Sequence, residues 1–169
     1  MLEYIILGLL MQRGMSGYDI KQYMNDVEFF NASFGNIYPS LKKLEKNGMI
    51  SLKEVIEGGK YKKVYSINQN GTKKFLEWLE QPASISRSGN EHLIKMFFFH
   101  YLPKEKVCFS VSKIIGNVSS SIRHAEVMEK VMKGKIEHFQ LKTMHFGIDY
   151  YRFILDWYKK LLVELDITN

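Results

Sequence analysis

The sequence predicts a mostly α protein with a small β-hairpin, arranged as an N-terminal domain of short helices and hairpin followed by a C-terminal α-helical domain. Three observations lead there. Apolar residues recur at helical spacing through most of the 169-residue chain. Two β-prone runs meet at Gly58-Gly59, a two-residue hairpin signal. A polar, Ser-rich stretch from Pro82 to Asn90 then separates the hairpin side from two long helical patterns.

Composition sets the limits. With 46% hydrophobic and 25% charged residues the chain is ordinary globular material for one or two small domains. At this length folding buries roughly 70% of the unfolded surface, so a core forms without metal or staples. Cys108 is the single cysteine and has no partner within the chain, which favours a reducing compartment, the cytoplasm by default. The apolar run Tyr4 to Met11 is preceded only by Glu3 and followed by no small-residue cleavage site, so it reads as a buried helix and not as a signal peptide. No stretch reaches the roughly 18 apolar residues of a membrane span.

The elements follow in order. A first helix covers residues 2 to 12 and stops at Gly14. Ser16 with Asp19 three residues on forms a capping-box pattern, and Tyr18, Ile20, Tyr23 and Met24 carry a second helix over about 17 to 27. After a loop from Phe29 to Gly35, a third helix starts near Asn36, where Pro39 fits a first turn, and ends at Gly48. Its residues Ile37, Leu41 and Leu44 belong to the core. Asn36, Ser40, Lys43 and Asn47 recur at the same spacing on another side. Ser51–Glu57 and Lys60–Ile67 are the hairpin strands, and a fourth helix runs from Asn68 through Phe75, Trp78 and Leu79 to about Glu80. These elements make a domain of residues 1–81, followed by a linker of 82–90. The remainder, 91–169, opens with an apolar, aromatic segment to Leu102, continues as a helix over 104–133 ended by Gly134, and closes with a helix over 135–165.

Charge is concentrated where function is sought. Between Asn36 and Lys74 nine lysines face three glutamates, which accounts for the whole net charge of +6. A localised basic window points to a polyanion, nucleic acid before membrane surface, against the plain reading of a solvated face. Helix, helix, helix, basic hairpin is the order of a winged helix-turn-helix, whose third helix enters the major groove while the wing reaches backbone or minor groove. The candidate contacts are Asn36, Ser40 and Lys43 to the groove, Tyr18 and Tyr38 to the backbone, and Lys60, Lys62 and Lys63 to phosphates.

Ser16-Gly17-Tyr18-Asp19, the run from Gly35-Asn36-Ile37-Tyr38-Pro39-Ser40-Leu41 to Gly48-Met49-Ile50, and Lys62-Lys63-Val64-Tyr65-Ser66-Ile67 with Gly71 together resemble the PadR family of bacterial transcriptional regulators. The specific motifs cover the first 80 residues. The remainder more loosely resembles the α-helical C-terminal region of the longer PadR-like and AphA-like members. The resemblance implies a homodimeric binder of double-stranded DNA, commonly a repressor and sometimes an activator, dimerised by its last helices. It also implies a response to phenolic or other hydrophobic small molecules. Family wings often carry Arg where this chain has Lys60, Lys62 and Lys63; lysine lacks the planar fork that pairs with guanine, so this wing is expected to hold phosphates. Asn68 stands where the family usually has Thr, and both cap helices.

Two apolar rows mark the last helix. Met144, Ile148, Tyr151, Leu155, Tyr158, Leu162 and Leu165 alternate spacings of four and three, the seam pattern of paired helices. This row is the expected dimer seam. Phe146, Tyr150, Phe153, Trp157 and Leu161 run beside it, so one row can pack within the chain and the other on a second subunit. Phe97, Phe98 and Tyr101 with Trp157 are the candidate lining of an apolar effector pocket. The five histidines and Cys108 show no metal-ligand spacing, no phosphate loop or nucleophile elbow is present, and neither enzyme activity nor a cofactor is expected. The rival from another class is a winged-helix module for protein–protein assembly without a specific DNA site.

Overall fold

A computed structural model of the chain describes residues 1–27, 30, 36–57, 60–83, 85 and 89–167. The architecture is a winged helix-turn-helix with a small antiparallel sheet, followed by a long helical pair. Seven α-helices are described: α1 (Leu2–Gln12), α2 (Gly17–Asp26), α3 (Ile37–Lys46), α4 (Gln69–Glu80), α5 (Glu91–Phe97), α6 (Lys104–Met132) and α7 (His138–Ile167). Three strands accompany them: β1 (Met15–Ser16), β2 (Ile50–Glu57) and β3 (Lys60–Ile67). Most of the expected loop after α2, the Gly58-Gly59 turn and much of the linker lie outside the described residues.

The chain folds into two compact units, Met1–Gln81 with Asn90–Leu102, and Pro82–Gly89 with Pro103–Asn169. The sequence reading places residues 91–102 with the C-terminal helices, whereas the structure groups them with the winged-helix elements. Packing gives the reason. Phe98 is fully buried, its ring 5.3 Å from that of Phe75 on α4 and 6.1 Å from Phe30. A Cβ placed on Gly8 of α1 would meet the Phe98 ring at 2.5 Å. Only glycine lets α1 lie that close to the ring.

The first unit is built from local signals. Ser16 caps α2: its hydroxyl accepts from the Asp19 amide while the Ser16 amide donates to the Asp19 carboxylate, a full capping box. Ile37, Leu41 and Leu44 of α3 are buried as their spacing requires. Gly48, at φ +65°, ends α3 in the left-handed conformation, with its own amide bonded to Glu45 O and that of Met49 to Leu44 O. The sheet has the order β1-β3-β2. The hairpin pairs from Ile50↔Ile67 to Glu57↔Lys60, and the two-residue β1 adds to the other edge of β3 through Met15↔Tyr65 and Ser16↔Val64. Such a short strand leaves no period-2 pattern to read, so the sequence predicts a hairpin where the structure has a three-stranded sheet.

Asn68 joins the sheet to α4. Its side-chain oxygen accepts from the Gly71 amide and its side-chain amide donates to Gly48 O at 2.6 Å, so one residue caps α4 and braces the turn after α3.

In the second unit α6 and α7 pack along their lengths as an antiparallel pair. The Arg152–Glu126 ion pair and the His145–Glu129 hydrogen bond show the direction, since partners descend on one helix as they rise on the other. Among the described residues no helix is long and apolar enough to cross a membrane, and no His, Cys, Asp and Glu cluster could hold a metal ion.

Candidate nucleic-acid interface

The site begins at the N-terminal turns of α2 and α3. Tyr38 lies against Gly17, where a Cβ would stand 2.6 Å from its ring, so the glycine lets the tyrosine fold over the start of α2. Asp19, in the first turn of α2, receives the Lys62 ammonium from β3 at 3.2 Å. Tyr38, Asp19 and Lys62 thereby join α3, α2 and the wing into one surface, on which Tyr18 and Tyr38 are exposed. Burial acts to raise the Asp19 carboxyl, but hydrogen bonds from the Ser16 amide and hydroxyl and the charge of Lys62 outweigh it and hold it below its ordinary value. Asp19 therefore stays ionised at neutral pH and fixes both the cap and the root of the wing lysine.

Helix geometry redistributes the candidate contacts on α3. At 100° per residue the point opposite the buried Ile37, Leu41 and Leu44 falls among Pro39, Lys42 and Lys46, all exposed. Asn36 and Lys43 flank that ridge and are exposed too, but Ser40 stands nearer the core and is half-buried. The Lys43 ammonium lies 2.7 Å from Glu3 of α1, so this flank turns toward the first helix. Tyr38 occupies the other flank, toward α2 and the wing. The sequence reading omits Lys42 and Lys46 because it follows the row Asn36, Ser40, Lys43 and Asn47, which lies to one side of the point opposite the core; a helical wheel referred to the buried Ile37, Leu41 and Leu44 finds them.

The wing lysines sit differently from one another. Lys63 pairs across the strands with Glu54 at 3.8 Å, Lys62 is bound to Asp19, and the Lys60 side chain lies outside the described residues. Among the described residues no ion pair engages Lys42, Lys46, Lys53 or Lys74. Exposed pairs of the Lys43–Glu3 and Lys63–Glu54 kind contribute little stability and exchange readily for phosphate.

The other predicted groups separate. Ile148, Tyr151 and Tyr158 are buried, and Met144, Leu155 and Leu162 partly so. The row expected as the dimer seam thus faces α6 within the chain, because α6 carries the matching buried row Val107, Val111, Ile114, Val118 and Ile122. The second row stands free: Phe146 is 73% and Phe153 67% exposed, with Tyr150 and Trp157 exposed beside them. The expected effector lining also divides. Phe97, Phe98 and Tyr101 pack with Phe30 and Phe75 in the first unit, while Trp157 belongs to the second. Those three aromatic residues are engaged in ring contacts with Phe30, Phe75 and one another.

A residue the sequence does not reveal is Lys95, 1% exposed on α5. Its ammonium donates to Trp78 O at 2.7 Å and Gln81 O at 2.6 Å, and Glu91 stands 3.5 Å away. The carbonyls lie at the C-terminal end of α4, where Trp78 O also accepts from the amide of the C-cap residue Gln81 at 3.2 Å, so Lys95 helps to cap that helix from another element. Burial lowers its pKa against the opposing pull of Glu91. A lysine in an apolar run gives no hint of such a position, since only the tertiary fold supplies the carbonyls.

Comparison with known proteins places these features in company. Residues 6–77 match the family model described as the transcriptional regulator PadR-like family. The chain is 35% identical over 109 residues to the negative transcriptional regulator PadR of Bacillus subtilis, a match covering 62% of this chain and 60% of that protein, less than two thirds of its length. Among solved structures, Bacillus subtilis PadR in complex with operator DNA aligns with a TM-score of 0.49 at 23% identity, covering 97% of this chain and 98% of that one. The same protein in complex with p-coumaric acid aligns with a TM-score of 0.44 at 23% identity, covering 98% of each chain.

Proposed function

We propose that the chain, whose residues 6–77 match the PadR-like family model of transcriptional regulators, is a homodimeric, cytoplasmic repressor that binds a pseudo-palindromic DNA operator. The observation that carries the reading is the continuous surface of α2, α3 and wing, in which the Tyr38–Gly17 contact and the Lys62–Asp19 pair bring an exposed lysine ridge beside a basic hairpin. In this arrangement α3 lies in the major groove with Asn36, Lys42, Lys43 and Lys46 toward the duplex, while Tyr18, Tyr38, Lys62 and Lys63 hold phosphates. The name of the 35% identical relative, a negative regulator, supports repression.

The homodimer rests on the free row of α7. Phe146, Tyr150, Phe153 and Trp157 form an apolar face of the kind that monomers seldom leave in water, and a two-fold pair of such faces would cover it. Division of labour follows, with the first unit reading DNA and α6–α7 joining two copies. Release by a small hydrophobic or phenolic ligand is part of the proposal; it is supported by the crystallisation of that same relative with p-coumaric acid.

Selection of binding fragments from a sheared genome tests the reading. A recurrent motif of two related half-sites, spaced by about 10 base pairs or a multiple, is the expected result. Retention of fragments with no common motif would instead fit a basic protein–protein assembly module.

A further inference from the structure

The tip of the wing carries an apolar pair that phosphate binding does not use. Ile56 and Tyr61 stand opposite each other in the strand register and are 68% and 83% exposed. Residues two apart on a strand share a face. The pair therefore lies on the side that holds Glu54–Lys63 and, nearer the body, Leu52–Tyr65 and Ile50–Ile67, where Ile50 is buried. Beyond the core, that face of the hairpin thus carries an exposed charged pair, Glu54–Lys63, and then an apolar pair in water. Among the described residues no ring contact engages Tyr61. Exposed hairpin strands usually carry charge or proline, because bare apolar strands invite unwanted pairing.

What surrounds the pair identifies its occupant. Lys62 and Lys63 follow Tyr61 directly and Lys53 lies further along β2, so the apolar tip is flanked by cations, which suits a polyanion. A DNA minor groove offers a narrow slot rimmed by phosphates, where lysines take the rim and apolar side chains enter between base steps. We propose that Ile56 and Tyr61 form a wedge that the wing presses into the minor groove beside each half-site, partly unstacking a base step and bending the duplex. The wing then reads deformability, which pyrimidine–purine steps supply and A-tracts do not. This deepens the DNA-binding reading above and rests on it.

The test uses the full chain and a duplex obtained by the fragment selection, labelled at both ends for energy transfer. Tyr61→Ala combined with Ile56→Thr is expected to weaken operator binding roughly tenfold, about one good groove contact, and to reduce the bend. The salt dependence of binding should keep its slope, because every phosphate keeps its lysine. Tyr61→Phe should retain both affinity and bend. Both positions are exposed, so thermal unfolding of the variants should match the parent chain. As a measurement independent of any variant, methylation of adenine N3 in the minor groove should be blocked at the wing position. Unchanged affinity and bend in the double variant, while Lys62→Ala with Lys63→Ala still weakens binding, would overturn the wedge and leave the DNA reading standing. No duplex selected by the parent chain would remove both.

Discussion

Single residues govern how the winged-helix unit holds together, and Lys95 is the sharpest case. Its buried ammonium donates to two carbonyls at the end of α4, those of Trp78 and of the C-cap residue Gln81. Lys95→Ala removes both of these hydrogen bonds and leaves Trp78 O with the Gln81 amide, and denaturant unfolding should show a loss of about 1–3 kcal/mol; a change within about 0.5 kcal/mol would mean that water replaces the ammonium. Gly71 constrains the fold in the opposite sense. A Cβ there would clash with the Met49 carbonyl oxygen and stand 2.8 Å from Ile67, so Gly71→Ala should cost roughly 1–3 kcal/mol in the same assay. The capping box at Ser16 and Asp19 is legible in the sequence because its partners lie three residues apart. The Lys95 site is not, because its partners lie 14 and 17 residues away and are backbone atoms without a sequence signature.

At the scale of elements, α3 and the wing carry the proposed contacts. Periodicity identifies the buried ridge of α3, since Ile37, Leu41 and Leu44 recur with the helical repeat, but it cannot say which neighbour each polar flank meets. Glu3 claims Lys43, and Gly17 receives Tyr38. Replacing Lys62 and Lys63 by Ala should weaken binding to all duplexes alike and lower the slope of log K against log salt by roughly one for each phosphate no longer neutralised. An unchanged slope would remove the wing from phosphate binding. The two rows of α7 illustrate the same limit. Both rows are visible in the sequence, yet only packing against α6 shows which is already covered. Phe146→Glu with Phe153→Glu should give a monomer in sedimentation with little loss of helix content, whereas Tyr158→Ala, within the α6–α7 core, should cost about 2–5 kcal/mol of stability. A dimer that survives the double glutamate would place the interface elsewhere.

For the molecule as a whole, the net charge of +6 is a local property. It belongs to the stretch between Asn36 and Lys74, and the structure displays it on the exposed ridge of α3, the hairpin and α4, while the helical pair carries opposed charges such as Arg152 with Glu126 and Asp149. Composition suggests a polyanion but not a surface; the surface arises from two contacts, Tyr38 on Gly17 and Lys62 on Asp19. The segment from Asn90 to Leu102 extends the winged-helix unit beyond the expected linker, because Phe98 fills the space that Gly8 leaves open. Hydrophobic patterning alone does not assign that segment, as an apolar helix satisfies either unit. The central claim is sequence-specific DNA recognition, and fluorescence anisotropy tests it most directly, comparing a selected two-half-site duplex with a shuffled duplex of equal length near physiological salt. The account predicts binding at least about 10³-fold tighter to the selected duplex; equal affinity for the two duplexes would contradict it.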